Sequence, residues 1–364
     1  MDDILREASQ CIKCGRCLSV CPVYQVSGHE RLVTRGKLTL ITTFLNKEIP
    51  VSDAFKEAIN ACLMCNQCRQ ACIYNLEVPK IIQNVRKIIW EQKRFYFNYP
   101  WLLNKFLANY QRFHLGIWLR LAGLFNPSFP ISSKPFLNRK MPKSTGAKVA
   151  VFTGCAINIL YPYLGERLIS LSEKLKIPIG IPKEQTCCGL MAYSLGDVET
   201  AQFLAQKNVQ VFKPLLVDYI IVPCASCFHH LKTYEIYKKA GMSKKVIEFS
   251  QFLLKQNLDI SCSYKVTWHD PCHLRYHHNI WKEPRVLLMK LGKNFIESSP
   301  DGQCCGQGGP FSLIYQKLSR EILKRRLSKI EVTGAEAVVT TCMGCFMQLK
   351  EVGGKKVLHL LDLI

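Results

Sequence analysis

Ten cysteines from residue 155 onward carry the plainest chemistry. Cys155, Cys187-Cys188 and Cys224-Ala225-Ser226-Cys227 form one set, and Cys272, Cys304-Cys305 and Cys342-Met343-Gly344-Cys345 form another. In each set 31 residues separate the first cysteine from the pair, and the closing Cys-x-x-Cys follows after 35 or 36 more. Five cysteines recurring in that register mark an internal duplication, the second copy lying 117 or 118 residues after the first. Thiolates gathered this densely are soft metal ligands. Each pair is followed by a glycine, Gly189 or Gly306, which reads as a place where backbone approaches the bound group closely.

Eight more cysteines stand near the other end. Cys11, Cys14, Cys17 and Cys21-Pro22 follow the C-x2-C-x2-C-x3-C run of bacterial ferredoxins, and so do Cys62, Cys65, Cys68 and Cys72, where Ile73 replaces the closing proline. In that run three thiolates on one turn hold three irons of a cubane, and the fourth ligates the other cluster. The expected sets are Cys11, Cys14, Cys17 and Cys72 for one cubane 4Fe–4S cluster, and Cys62, Cys65, Cys68 and Cys21 for the other. Zinc is the competing reading, and eight cysteines in this pattern weigh against it.

Short β-branched runs lead into the cysteines. Lys148–Phe152 precedes Cys155, Tyr264–Trp268 precedes Cys272, Asp218–Pro223 precedes Cys224, and Ala335–Thr341 precedes Cys342. These read as buried strands with the cysteines at their C-terminal ends, where open α/β sheets place ligands. Pro223 sets the first strand exit. Helices are expected over Tyr161–Leu175, Asp197–Phe212, Pro284–Leu291 and Tyr315–Ile330, so each half should build a parallel sheet. The ferredoxin-like region reads as helical: Arg35–Leu45, then Ala54–Ala61 behind a Ser52 or Asp53 cap, then Pro79 to about Gln92.

Composition bounds the rest. A chain of 364 residues is long enough for two or three domains. Nineteen cysteines in metal-like spacings, an odd number, argue against a disulfide scaffold, and Met1–Arg6 does not read as a secretory leader. A reducing cytosol is the expected setting, with a peripheral place on the cytoplasmic face of a membrane as the alternative. The formal charge of +22 counts the cysteines as neutral, so cluster thiolates would lower it. No basic stretch follows a nucleic-acid-binding pattern, and no nucleic acid is expected. No Gly-x-Gly-x-x-Gly follows a strand, so neither flavin nor NAD is expected in this chain. Phe95–Phe125 is dense in aromatics, with Lys105, Arg112 and Arg120 interspersed. It reads either as a membrane-surface helix or as a helix packed against the protein or a partner.

The duplicated Cys-Cys-Gly sets behind two ferredoxin runs resemble the CCG-domain iron–sulfur subunits. Members of that group serve heterodisulfide reductase, glycolate oxidase and anaerobic glycerol-3-phosphate dehydrogenase. The resemblance implies an α-helical ferredoxin domain with two cubane clusters over 1–94 and an aromatic, basic segment with linker over 95–147. A duplicated α/β CCG domain follows, as repeats over 148–262 and 263–364. It implies up to two non-cubane 4Fe–4S clusters, one on Cys155, Cys187, Cys188, Cys224 and Cys227, the other on Cys272, Cys304, Cys305, Cys342 and Cys345. Cys262 is left as a bystander.

Two functions follow from the resemblance. One is electron transfer between an FAD-containing 2-hydroxyacid dehydrogenase, of the glycolate or lactate type, and a quinone or other carrier, with further redox subunits as partners. The other is reduction of a disulfide at the CCG clusters themselves, with Cys188, Cys305 and His273 as candidate catalytic residues. Both Cys-x-x-Cys pairs are intact, as in heterodisulfide reductases. His269-Asp270-Pro271-Cys272-His273, Pro300–Gly306, Gly309–Ser312 and Val357–Leu360 look more like the hydroxyacid-oxidase subunits. His269 and His273 are candidates to ligate or shuttle protons. His277 and His278 are expected as ordinary loop residues, and His229-His230 on a helix with at most one near the cluster.

Overall fold

The computed structural model describes residues 1–92, 134–141, 146–256, 258–298, 304–352 and 354–364. The aromatic Phe95–Phe125 segment and the Pro300–Gln303 stretch lie outside the described residues.

Six helices build the first region: α1 (Asp2–Ser9), α2 (Pro22–Ser27), α3 (Thr34–Leu45), α4 (Asp53–Asn60), α5 (Gln67–Ala71) and α6 (Val78–Gln92). Local chemistry starts them where the sequence indicated. Ser52 Oγ accepts from Phe55 N at 3.2 Å and caps α4, and Pro22 opens α2 directly after Cys21. Ile81, Ile82, Val85 and Ile89 recur at helical spacing along α6 and bury against Leu38 and Ile41 of α3 and Phe55 and Ile59 of α4. Full burial of each such side chain stabilises by about 1.5–3 kcal/mol.

The second region alternates strands and helices. Its first half runs β1 (Val149–Val151), α7 (Pro162–Leu175), β2 (Ile179–Gly180), α8 (Leu190–Leu195), α9 (Val198–Phe212), β3 (Tyr219–Val222), α10 (Ala225–Thr233), β4 (Val246–Glu248) and α11 (Phe249–Lys255). The strands form a parallel sheet in the order β2-β1-β3-β4. The second half runs β5 (Val266–Trp268), α12 (Cys272–His278), α13 (Lys282–Met289), α14 (Gln316–Glu331), β6 (Ala337–Thr340), α15 (Met343–Val352) and β7 (Lys356–His359), with a parallel sheet β5-β6-β7. Where the first half has β2, the second keeps a single parallel bridge from Val266 to Phe295.

The halves share one continuous apolar core, from Phe152 and Phe228 through Trp268 to Phe346 and Leu361. Backbone joins them as well: Ala225 N donates to Thr341 O at 3.2 Å. His359 spans the junction with both ring nitrogens. Its Nδ1 accepts from Leu361 N at 3.1 Å, so its Nε2–H donates to Pro223 O at 2.9 Å.

The helical region packs on both halves. Arg86, 4% exposed, donates to Asn60 O and Cys62 O of its own region and to Ser194 O at the end of α8. Asn66 Nδ2 donates to Tyr276 O at 3.0 Å, and Arg325 of α14 donates to Gln25 O at 3.0 Å. Leu63, Cys65, Cys304, Phe311 and Ile322 close an apolar cluster between the regions.

Candidate metal centres

The two ferredoxin-type loops share one backbone conformation. Lys13 and Met64, each just before the second cysteine of its run, have φ of 58° and 54°. Gly15 and Asn66, just after it, have φ of 83° and 67°. Three of those four are not glycine, so the loops accept left-handed strain to curl the thiols onto one side. Burial pushes the Cys68 thiol up to about 12, and Cys62, Cys21 and Cys17 add to the rise. Cys21 is raised by burial and by Cys62, while Cys17 is raised by burial and by Cys11 and Cys14. Cys21 thus sits with Cys62 and Cys68.

The ten thiols of the two five-cysteine sets form an unbroken row. Side-chain contacts run from Cys155 to Cys187, Cys188, Cys227 and Cys224, cross to Cys342, and continue through Cys345 and Cys305 to Cys304 and Cys272. The order in the second half mirrors that in the first about the Cys224–Cys342 contact. Each Cys-x-x-Cys opens a helix, with Cys224 as the cap of α10, so helix N-termini face the thiols at the centre of the row. The row also reaches the helical region: Cys65 is raised by burial first, then by Cys304 and Cys272 beside it.

The glycines after each cysteine pair also answer to packing between elements. Gly189 and Gly306 have φ of 96° and 87°, and a Cβ there would meet the α9 and α14 backbones, 3.2 Å from Ala201 O and 2.6 Å from Ser319 O. They let a helix come close, and the Gly306 N–H also donates to Cys304 Sγ at 3.5 Å. A further close approach to a thiol is at Gly154, where a Cβ would lie 2.9 Å from Cys227 Sγ. Its place one residue before Cys155 was the available sequence signal.

The histidines also depart from the expected pattern. His277 and His278 are on α12, not in a loop. With His229 and His273 they form a cluster: His229 stacks on His273 at 4.7 Å, and His229 Nδ1 lies 3.1 Å from His278 Nε2. One ring nitrogen from each of His229, His273 and His277 lies within 4.8 Å of the other two. His273 Nδ1 bonds Ser226 Oγ at 3.0 Å, and Ser226 Oγ lies 3.2 Å from Cys342 Sγ, which places His273 at the centre of the row. His277 Nε2 bonds Met64 O at 3.0 Å. Burial lowers His277 to about 3 and His278 to about 4, with His273 adding to the fall. Of the other two catalytic candidates, Cys188 and Cys305 are buried within the row at 4% and 2% exposure.

Two buried residues of the second half carried no sequence signal together. Arg326 Nε donates to His269 Nδ1 at 3.0 Å, and its Nη2 donates to Trp268 O and Ser298 Oγ. Beside them Asp270 accepts from Arg285 twice at 2.8 Å, from Arg275 at 2.8 Å and from Trp268 Nε1 at 3.0 Å.

Comparison with known proteins agrees with this arrangement. Residues 149–232 and 266–350 each match the model of the cysteine-rich CCG domain, and residues 7–76 match the 4Fe-4S dicluster domain. The chain belongs to the CCG-domain iron–sulfur subunit family. This CCG-domain protein is 26% identical to a probable glycolate oxidase iron-sulfur subunit of Bacillus subtilis, over 98% of this chain and 93% of that one. It is 31% identical to lactate utilization protein A 1 of Bacillus mycoides over 56% of this chain and 88% of that protein. It is 24% identical to one subunit of the dihydromethanophenazine:CoB–CoM heterodisulfide reductase of Methanosarcina acetivorans, over 95% and 89%. Among solved structures, a hypothetical protein from Helicobacter pylori matches with a TM-score of 0.53 and 12% identity, over 90% of this chain and 66% of that one, which is a likeness of fold. The CCG-domain chain is an iron–sulfur, electron-transferring subunit of an oxidoreductase.

The donor sets of this CCG-domain protein fit iron–sulfur clusters. Ten thiols in mutual contact, mostly buried, can all ionise only against compensating positive charge, which iron supplies. The buried His269 Nε2 and Arg326 Nη1 beside Cys305 and Cys345 have no hydrogen-bond partner among the described residues, as donors awaiting an anionic group would. Cys262 stands apart on a cleft of about 1340 Å³, with Arg167, Lys350 and Lys356 on its walls. Among the described residues no helix is long and apolar enough to cross a membrane.

Proposed function

We propose that this protein carries electrons between an FAD-containing 2-hydroxyacid dehydrogenase, of the glycolate or lactate type, and a quinone or other carrier. The observation that carries the reading is the packing of Cys65 in one apolar cluster with Cys304 and Cys272, which sets a ferredoxin-type loop beside the five-cysteine row. Two cubane clusters would be held by Cys11, Cys14, Cys17 and Cys72, and by Cys62, Cys65, Cys68 and Cys21. Two non-cubane four-iron clusters would be held by the five-cysteine sets. When bound, these clusters supply one-electron carriers. The chain's own part is spacing and insulation: α2 and α14, with Leu63, Phe311 and Ile322, keep the junction dry and close. The full-length similarity to the glycolate oxidase iron–sulfur protein supports the hydroxyacid partner.

The test is purification from the native host under anaerobic conditions. A co-purifying FAD protein that reduces the chain on addition of glycolate or lactate supports the reading. A haem or electron-bifurcating partner with no hydroxyacid activity overturns it.

A second reading has its own support. The Cys224–Cys342 contact, with His273 and Ser226 beside it, brings both Cys-x-x-Cys pairs to one place, and both are complete. That arrangement suits a disulfide substrate reduced between the sets, as does the similarity to the heterodisulfide reductase protein. Reoxidation of the reduced holoprotein by organic disulfides, and not by quinones, would favour this second reading.

A further inference from the structure

The two five-cysteine sets repeat in register, but their surroundings do not. Phe152 N and His269 N make the same backbone bond, to Ile221 O and Val339 O, at 2.9 Å each, so these residues are equivalent positions beyond β1 and β5. Ala201 and Ser319, which meet Gly189 and Gly306, align α9 with α14 and make Asn208 the counterpart of Arg326.

In the first half this pair is neutral and closed. Asn208 accepts from Thr186 N at 2.8 Å and donates to Cys187 O at 2.9 Å and to Tyr237 Oη at 3.2 Å, while Phe152 has no polar side-chain atom. The second half has a guanidinium and an imidazole there, both 1% exposed. A guanidinium only donates, so His269 Nδ1 must accept from Arg326, and the neutral ring carries its proton on Nε2. A ring nitrogen of His269 lies within 4.8 Å of Sγ of both Cys305 and Cys345. Arg326 interacts electrostatically with Asp270 first and then with the same two thiols, and among the described residues no carboxylate lies within ion-pair distance of it. The first half has its own buried histidine, His230, whose Nε2 also lacks a hydrogen-bond partner among the described residues, but it stacks on Tyr234, and among the described residues it is not grouped within 4.8 Å of two thiols as His269 is.

We propose that His269 and Arg326 make the second five-cysteine set the more oxidising of the two, holding its cluster at a higher reduction potential than that of the first set. This rests on the reading that both sets hold clusters. Each one-electron reduction adds a negative charge, and both an unpartnered N–H beside the thiols and a nearby buried cation favour the more negative state. Phe152 and Asn208 offer the first set neither. The duplicated site is therefore asymmetric, and an electron rests preferentially on the set that abuts Cys65.

An anaerobic redox titration followed by electron paramagnetic resonance, with iron and sulfide analysis of each sample, tests it. The wild type should show two non-cubane signals with separate midpoints. His269→Phe, which writes the first-half residue into the second, should lower the higher midpoint and leave the other in place. His269→Gln, which keeps an N–H donor, should shift it less. Arg326→Gln should move the same midpoint in the same direction, and it decides alone if His269→Phe loses iron. Full iron content with both midpoints unmoved in these variants would overturn the proposal. Wild-type iron too low for both sets, read before any variant is made, would instead remove the underlying cluster assignment.

Discussion

Cys224 and Cys342 stand in corresponding places of two repeated halves, yet their side chains touch. The contact lowers the Cys342 thiol well below its ordinary value, chiefly through its hydrogen bond with Cys224, then through Cys345. Two copies of one fold have packed with their cysteine edges facing, so ten thiols make a single structure.

Iron content follows directly. Eighteen cysteines in four complete sets imply about 16 irons per chain when each set holds four. Cys188→Ser and Cys305→Ser should each cost about 4 irons and remove one non-cubane signal. Iron near 8 in the wild type, unchanged in both variants, would contradict the assignment.

Crossed ligation makes a second expectation. Cys21 lies with Cys62 and Cys68, although it follows Cys17 in sequence. Cys21→Ala should therefore damage the cluster of Cys62, Cys65 and Cys68 and spare that of Cys11, Cys14 and Cys17. Mössbauer spectra of the variant would show which cubane is lost.

Lys37 is a buried cation beside that cluster site. Its Nζ donates to Ala58 O at 2.6 Å and Ala61 O at 3.1 Å; burial pulls its pKa down to about 8, while Cys62 and Cys21 hold it up. Lys37→Met removes the positive charge and should lower the midpoint potential of one cubane alone. An unshifted potential at full iron content would rule out the electrostatic role.

Asp270 anchors the second half through Arg285, Arg275 and Trp268 Nε1. Burial raises its pKa, but the Arg285 hydrogen bonds and the Arg285 and Arg275 charges outweigh that and leave the carboxyl below its ordinary range. Asp270→Asn strands Arg285, which is 7% exposed, without its main counter-charge. The expected cost is about 3–5 kcal/mol, seen as a lower denaturant midpoint for this region. A midpoint within error of wild type would show that Glu297 alone suffices for Arg285.

Much of the fold was legible because local chemistry decides it. Ser52 before Asp53, Pro79 at the start of α6, and the β-branched runs before Cys224 and Cys342 act over a few residues, and their elements formed within a residue or two of expectation. Features set by long-range packing were not legible. Gly189 is opposed by a helix carrying Ala201, and nothing near the cysteine pair announces which segment will cross it. The Arg326–His269 bond joins residues 57 apart with no shared motif. The histidine cluster arises only because α10 and α12, from different halves, pack together and bring His229 over His273. A repeat in sequence specifies two similar units and says nothing of how they face each other.

The central claim is that the ferredoxin-type sets and the five-cysteine sets form one file joined where Cys65 meets Cys304 and Cys272. Spin-relaxation measurements on the partly reduced, anaerobic holoprotein test it most directly. The account predicts fast relaxation of one non-cubane signal when the neighbouring cubane is reduced, and slow relaxation of the same signal in Cys62→Ser, where that cubane is absent. Relaxation that is identical in the two proteins, with the non-cubane iron intact, would contradict it.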